Sequence, residues 1–505
     1  MFGVIPGMVR RRFLCLALTA AAMTAQVVTL QWNNGRTGAN LHETILTPAN
    51  VNARQFGKLF SLRVDGDIYA QPLYVPHLAI PGKGTHNVLF VATEHDSVYA
   101  FDAGGATPDP LWKVSFVKPD AGISTVRADT TDCPFIKPEI GITPTPVIDV
   151  GSGTIYVLAR TVQGSGPRSS EHYAQQLHAL SLTTGQEKFG GPVEINAPGF
   201  DALRELPRAG LLLTGGQLIL TWASSCDVKP YHGWVMAYDQ HTLAQTAAFN
   251  TSPSAGEAGI WQSDTGPAAD DQGNIYVATG NGKFTAAAKG HDYGDSLLKL
   301  KVTAHNLVVS DYFTPADESA MNARDLDLGS GGPLLLPDQH LILLGGKNGV
   351  LYVLDQDHLG HVVQSLHLGG GIYSAPAYWN GHVFVLASGD YLSDFVLDHG
   401  HLADRPAIRG TQKFNNPGAT ATVSADGARN GIVWLIETKA WNEFGDRPAV
   451  LHAYDASNIA HELYRSDENG ATLRFTVPTV VNGHVYVETK GKVEVYGLTK
   501  TNPHP

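Results

Sequence analysis

Short apolar runs recur along this chain in a fixed order. A run led by proline or a small residue is followed by Gly-x-[Val/Ile]-[Tyr/Phe]-Val and then by a further apolar run. Thr145-Pro-Val-Ile-Asp precedes Gly153-Thr-Ile-Tyr-Val and Leu177-His-Ala-Leu-Ser-Leu, and Gly266-Pro-Ala-Ala-Asp precedes Gly273-Asn-Ile-Tyr-Val and Leu297-Leu-Lys-Leu. Ala375-Pro-Ala-Tyr-Trp with Gly381-His-Val-Phe-Val, and Val477-Pro-Thr-Val-Val with Gly483-His-Val-Tyr-Val, repeat the phrase. Runs this short, rich in β-branched and aromatic residues and bounded by Gly and Asn, predict strands. A unit of three or four such strands repeated along a chain predicts a β-propeller.

Leading prolines at Pro72, Pro146, Pro267, Pro333, Pro376 and Pro478 mark the innermost strand of successive units. Two gaps, Pro146 to Pro267 and Pro376 to Pro478, are about twice the ~40–60 residues of one blade. Each holds a unit without proline, led by Gly210-Leu-Leu-Leu and by Ala421-Thr-Val-Ser, which brings the count to eight. The last unit stops near Leu498 after its third strand, while Phe56-Gly-Lys-Leu-Phe-Ser-Leu reads as a fourth strand with no unit of its own. Pairing the two removes two exposed edges. The expected fold is therefore all-β: an eight-bladed propeller of four-stranded antiparallel blades, closed by an N-terminal strand on the C-terminal blade. Its expected segments are a signal peptide at 1–25, an N-terminal extension at 26–56, the propeller at 57–498 and a tail at 499–505.

In an up-and-down blade, the turns after strands one and three share one face. Here those turns are short, as at Asn380-Gly381 and Asn482-Gly483. The other face receives nearly every long insertion, among them Lys118–Ile140, Thr161–Gln175, Asn250–Ser263, Asn281–Asp295, Thr314–Gly329, Ala403–Pro417 and Thr438–Pro448. Insertions gathered on one face of a repeat protein mark a binding face.

Composition narrows the partners. The 505 residues are 43% apolar with a formal charge of −12, and no Lys/Arg cluster in the body reverses that sign locally. Such a surface repels phosphate backbones and argues against nucleic-acid binding. Arg10-Arg11-Arg12 carries the only charges of residues 1–25 and precedes an apolar run from Phe13 to Ala25, too short to span a bilayer. It predicts export to a periplasmic or extracellular compartment through a Sec or twin-arginine signal. Two cysteines remain beyond it, Cys133 and Cys226. Both fall in insertions of the same face, on neighbouring units, and export favours a disulfide between them. No second apolar run is long enough for a membrane span, and a monomer is expected.

The repeat phrases Val98-Tyr-Ala-Phe-Asp, Leu177-His-Ala-Leu-Ser-Leu-Thr-Thr-Gly, Leu351-Tyr-Val-Leu-Asp and Leu451-His-Ala-Tyr-Asp resemble the quinone-type (PQQ-like) repeat. That repeat occurs in the quinoprotein alcohol dehydrogenase-like superfamily, in enzymes and in non-enzymatic relatives. Asn34-Gly-Arg-Thr-Gly-Ala-Asn, Tyr69-Ala-Gln-Pro-Leu-Tyr-Val, Val91-Ala-Thr-Glu-His-Asp-Ser-Val-Tyr-Ala-Phe-Asp and Glu139-Ile-Gly-Ile-Thr-Pro-Thr-Pro-Val-Ile-Asp are similar to an exported group of these proteins. Three departures weigh against the enzymes. No two cysteines are adjacent to pack on a quinone, no Cys-x-x-Cys-His attaches a haem, and the Trp-ended docking repeat survives only in fragments such as Leu111-Trp112.

Residues just before each innermost strand line the mouth of a propeller's axis. They are Tyr69, Gln71, Glu139, Thr143, Arg208, Trp261, Asp264, Asp327, Ser330, Tyr373, Ser374, Asn416 and Arg474. Three carboxylates, an Asn and two Arg around one axis could hold calcium and an anionic quinone (PQQ), although propeller mouths are polar in general and fold does not dictate function. Glu94-His95-Asp96 reads as a solvated turn, and no zinc helix, Gly-x-Ser-x-Gly elbow or phosphate-binding glycine loop is present. Two functions follow. One is a non-catalytic binding or scaffold protein, without cofactor, that takes a protein, peptide or glycan on the long-insertion face, similar in spirit to the propeller lipoprotein of outer-membrane assembly. The other is a PQQ- and calcium-dependent dehydrogenase of alcohols or sugars.

Overall fold

A computed structural model describes residue 3 and residues 25–499, apart from 134, 165, 167, 305, 439–447, 468 and 472. The expected signal peptide, nearly all of the C-terminal tail and most of the 438–448 insertion lie outside the described residues.

The fold is all-β and propeller-like. Among the described residues, eight sheets follow one another along the chain, and the single α-helix is Glu318–Asn322. The first sheet shows the plan: Leu73–Ile80, Gly84–Ala92, Ser97–Asp102 and Trp112–Ser115 pair in sequence order, antiparallel throughout. Val88–Ala92 and Ser97–Phe101 are buried on both faces of the sheet. Neighbouring sheets cover both sides, which is why these strands are continuous apolar runs rather than alternating ones.

Three of the eight sheets have the expected four strands, and two of the other five bear on the site and on the chain ends. In the second, the insertion after the first unit is not a plain loop. Ile123–Arg127 pairs with the far end of Thr154–Gln163, and Glu139–Ile140 pairs with Val126 and Arg127. In the eighth, the second and third runs form one 15-residue strand, His484–Leu498. Gly491 sits within it at φ +69°, a conformation that glycine adopts without a Cβ penalty. Thr479–Val481 pairs with the start of this strand and Phe56–Asp67 with its end, Phe56 opposite Leu498 and Leu62 opposite Val493. Lys58 and Lys492 converge on buried Glu494 at 2.6 and 2.5 Å, so one carboxylate ties the two ends of the chain together.

The core lies between sheets. One apolar cluster joins Tyr156 and Leu177 of the second sheet to Trp222 and Met236 of the third, and another joins Val235 of the third to Val277 and Leu298 of the fourth. The same pattern continues along the chain. The largest cluster packs Val481, Tyr486 and Val493 of the eighth sheet against Phe90 and Phe101 of the first.

Residues 27–40 touch all eight sheets in chain order. Val27 exchanges both backbone hydrogen bonds with Tyr74, and the Val28 carbonyl accepts from the Ile148 amide. Asn34 Nδ2 donates to the Leu213 carbonyl at 2.8 Å, and the Asn34 carbonyl accepts from Ala269. The carbonyls of Gly35, Thr37 and Gly38 accept from Leu335, Tyr378 and Val423, and Asn40 Nδ2 donates to the Val480 carbonyl. Tyr74, Ile148, Ala269, Leu335, Tyr378 and Val480 each lie two residues past a leading proline, so the same inner-strand position meets the peptide each time. Without that peptide these edges would present unpaired backbone groups.

Candidate functional site

Residues that precede the innermost strands of several sheets come together around one set of cavities. There a cavity of about 120 Å³ is lined by Tyr69, Arg208, Trp261, Asp327, Ser330, Tyr373 and Arg474, all expected at the mouth. Two smaller cells lie deeper. One, of about 20 Å³, is bounded by Tyr69, Gln71, Thr143, Arg208 and Asp264. The other, of about 10 Å³, is bounded by Asp264, Tyr373 and Ser374. Both are of the order of a single water molecule. The repeat fixes the register of each inner strand, and that register brings these residues together.

Two expected residues are elsewhere. Glu139 is drawn into the short strand Glu139–Ile140, where it accepts from Thr125 Oγ1 (2.7 Å), pairs with His95 Nδ1 (2.9 Å) and lines none of the three cavities. Asn416 is exposed at the rim and accepts from Ser388 Oγ at 2.7 Å. The Glu94-His95-Asp96 turn is not solvated either. Glu94 and Asp96 are 1% and 0% exposed, because the second sheet closes over them. Glu94 accepts from the Gly141 amide at 2.7 Å, and burial pushes its carboxyl up to about 7.

Sequence reasoning missed much of the wall. Phe135, Ile136, Ile140, Leu206 and Phe475 make it mostly apolar, and Lys347 and Asp227 add charge. Lys347 follows the second strand of its unit, so the loop rule that singled out the insertions could have found it. Cys133 and Cys226 are bonded across the same cavity, with Cα atoms 5.4 Å apart, and both line it.

Electrostatically the cavity is cationic over aromatic walls. The Arg208 guanidinium lies 4.8 Å from the Phe475 ring centre and Arg474 lies 4.2 Å from that of Phe135. Burial lowers the pKa of both. Among the described residues Arg208 makes no ion pair; Lys347 is tied to Asp327 and to Asp325. Asp264 is held by the Thr420 hydroxyl, and its second oxygen, Oδ1, has no hydrogen-bond partner among the described residues. Burial pushes its carboxyl up to about 7, against the opposing pull of Thr420 and Arg208.

This donor set does not fit calcium. A hard cation needs several oxygens converging on one point. Here Asp327 is neutralised by Lys347, Glu139 faces His95, Asp264 faces Thr420 and Asn416 is at the rim. Among the described residues no three of His, Cys, Asp and Glu converge as a metal site. An anionic planar group fits better, between aromatic side chains and two guanidinium groups.

No family model matches the sequence, and no curated protein matches it. Solved structures do. A quinohemoprotein alcohol dehydrogenase from Pseudomonas putida HK5 is similar over 96% of this chain and 83% of its own, with TM-score 0.63 and 15% identity. A europium-containing methanol dehydrogenase is similar over 94% and 98%, with TM-score 0.62 and 13% identity. BamB from Moraxella catarrhalis is similar over 88% and 99%, with TM-score 0.51 and 15% identity. The chain thus has the fold shared by the quinoprotein alcohol dehydrogenases and BamB, the PQQ-like β-propellers that its repeat phrases resemble.

Proposed function

We propose that this chain is an exported, eight-bladed propeller that binds a protein, peptide or glycan on its long-insertion face without catalysis of its own. It grips an acidic group of that ligand in the axial cavity. The ring reading rests on the N-terminal peptide, which meets the eight sheets in order, and on the packing of the eighth sheet against the first. Export agrees with the disulfide. No described helix is long and apolar enough to cross a membrane.

The observation that carries the binding reading is Arg208: half-buried, 4.8 Å from the Phe475 ring centre and without an ion pair among the described residues, it is a charge kept for an incoming anion. A cation desolvated over an aromatic face gains most from a partner that brings the opposite charge. The test is retention on arrays of acidic, neutral and basic peptides and of acidic and neutral oligosaccharides. Acidic members should be held, and Arg208→Gln should weaken them at least tenfold. Equal retention of neutral members would overturn the reading.

One observation favours the dehydrogenase as a second reading. Asp264, with a carboxyl pushed up to about 7 and an oxygen without a hydrogen-bond partner among the described residues, borders both small cells and has the properties of a general base. Dye reduction with alcohols and aldoses, after addition of quinone and calcium, separates the two. Turnover lost in Asp264→Asn would establish the second.

A further inference from the structure

The Asn34-Gly-Arg-Thr-Gly-Ala-Asn phrase has no part in the axial cavity, yet nearly every residue of it is engaged. Asn34, Gly35, Thr37, Gly38 and Asn40 bond to six different sheets, and Arg36 is fully buried among them. The Arg36 guanidinium donates from Nε to the Pro267 carbonyl (2.9 Å) and from Nη1 to the Leu30 carbonyl (2.7 Å) and Thr29 Oγ1 (2.8 Å). Nη2 donates to the Leu211 carbonyl at 3.3 Å. No carboxylate takes part. A cage of neutral oxygens around a fork of five N–H donors recognises the shape of arginine, which a lysine ammonium with three donors cannot reproduce.

The bonds run through backbone groups at one repeated position of each sheet, and that is how an extended peptide is held on strand edges. We propose that the inner strand edges of the eight sheets together form a peptide-binding site, filled in cis by residues 27–43 and selective for arginine at position 36. Glu43 fastens the peptide to the eighth sheet: its Oε2 accepts from the Gly483 amide at 3.0 Å and its Oε1 from Ile45 at 2.8 Å. Beyond it Leu46 and Val51 are buried between the seventh and eighth sheets, and the chain is exposed at Ala53 and Arg54 before it enters the eighth sheet. The proposal is independent of what the axial cavity binds.

The test uses the full chain. A protease recognition site is inserted between Ala53 and Arg54, and the protein is folded first and cut afterwards. The cut segment should co-elute with the body at micromolar concentration. A labelled synthetic peptide of residues 26–53, in excess, should exchange into the body while the far-ultraviolet spectrum is unchanged. The same peptide carrying Arg36→Met should compete at least tenfold more weakly. Equal competition by that peptide would overturn the selectivity. A cut segment that never exchanges, or a body that unfolds as it exchanges, would show an inseparable part of the core rather than an occupied site. A segment that leaves at once, with thermal unfolding of the body unaltered, would overturn the site itself.

Discussion

Replacing Cys133 and Cys226 together by serine should destabilise the protein by an amount set by the loop they close. The two are 93 residues apart in sequence. In the chain-entropy model a loop of that length restricts the unfolded ensemble by roughly 16 cal/mol/K, or about 4.7 kcal/mol at 25 °C. Unfolding entropy near 2.1 cal/mol/K per residue gives roughly 1 kcal/mol/K for a chain of 505 residues. The expected fall in Tm is therefore about 5 °C. The bond also holds Phe135 and Ile136, on the cavity wall, so the variant should bind acidic ligands more weakly than its stability loss explains. Two measurements decide the matter. Differential scanning calorimetry of the double variant, scanned at several rates, gives the Tm shift. Thiol titration of the denatured, unreduced native protein gives the bond itself. Two reactive thiols per chain, or a Tm shift under 1 °C, would refute the reasoning.

Three further outcomes follow from groups already described. Glu94 binds its proton more tightly folded than unfolded, because burial raises its pKa to about 7; its contribution to stability is whole below the unfolded value of about 4.3 and is lost as pH rises through 7. Glu94→Gln should remove about 2 kcal/mol of that fall, read from urea midpoints at pH 5 and pH 8. His452 is buried between Glu437 and Glu462 at 3.2 and 2.7 Å; burial alone would lower its pKa, but the two hydrogen bonds outweigh it and the pKa is raised. Its contribution is whole below the unfolded value of about 6.5 and is lost as pH rises through the raised one. His452→Gln should erase that component of the profile. At Gly141 an added Cβ would lie 2.4 Å from the Glu94 carbonyl oxygen. Gly141→Ala must move backbone, and a denaturation curve should show a loss of about 2 kcal/mol or more.

The sheets were legible because each unit repeats its own hydrophobic phrase, so even the units led by Gly210 and Ala421 could be placed by their neighbours. The mouth was legible for the same reason: Tyr69, Thr143, Asp264, Ser330 and Tyr373 each stand three residues before a leading proline. Glu139 was not, because its insertion folds back as strands, and a lone Glu-Ile pair carries no pattern that distinguishes it from a loop. Glu94 and Asp96 looked solvated because local sequence does not record what a neighbouring sheet covers. The peptide at residues 27–40 was invisible for a deeper reason. Its contacts are largely main-chain hydrogen bonds, which side-chain periodicity does not encode.

That peptide also fixes an order of events. Asn40 bonds to Val480 across 440 residues of sequence. The segment that is made first has no complete docking surface until the last sheet has formed. Contacts of such separation come late in folding, since the loop entropy must be lost before they return any energy. The far end of that peptide must then wait, uncommitted to the eighth sheet, while the remainder assembles. The bonds of Asn40 to Val480 and of Glu43 to Gly483 are therefore among the last to form, and a chain interrupted before Val480 leaves the far end of the peptide unfastened.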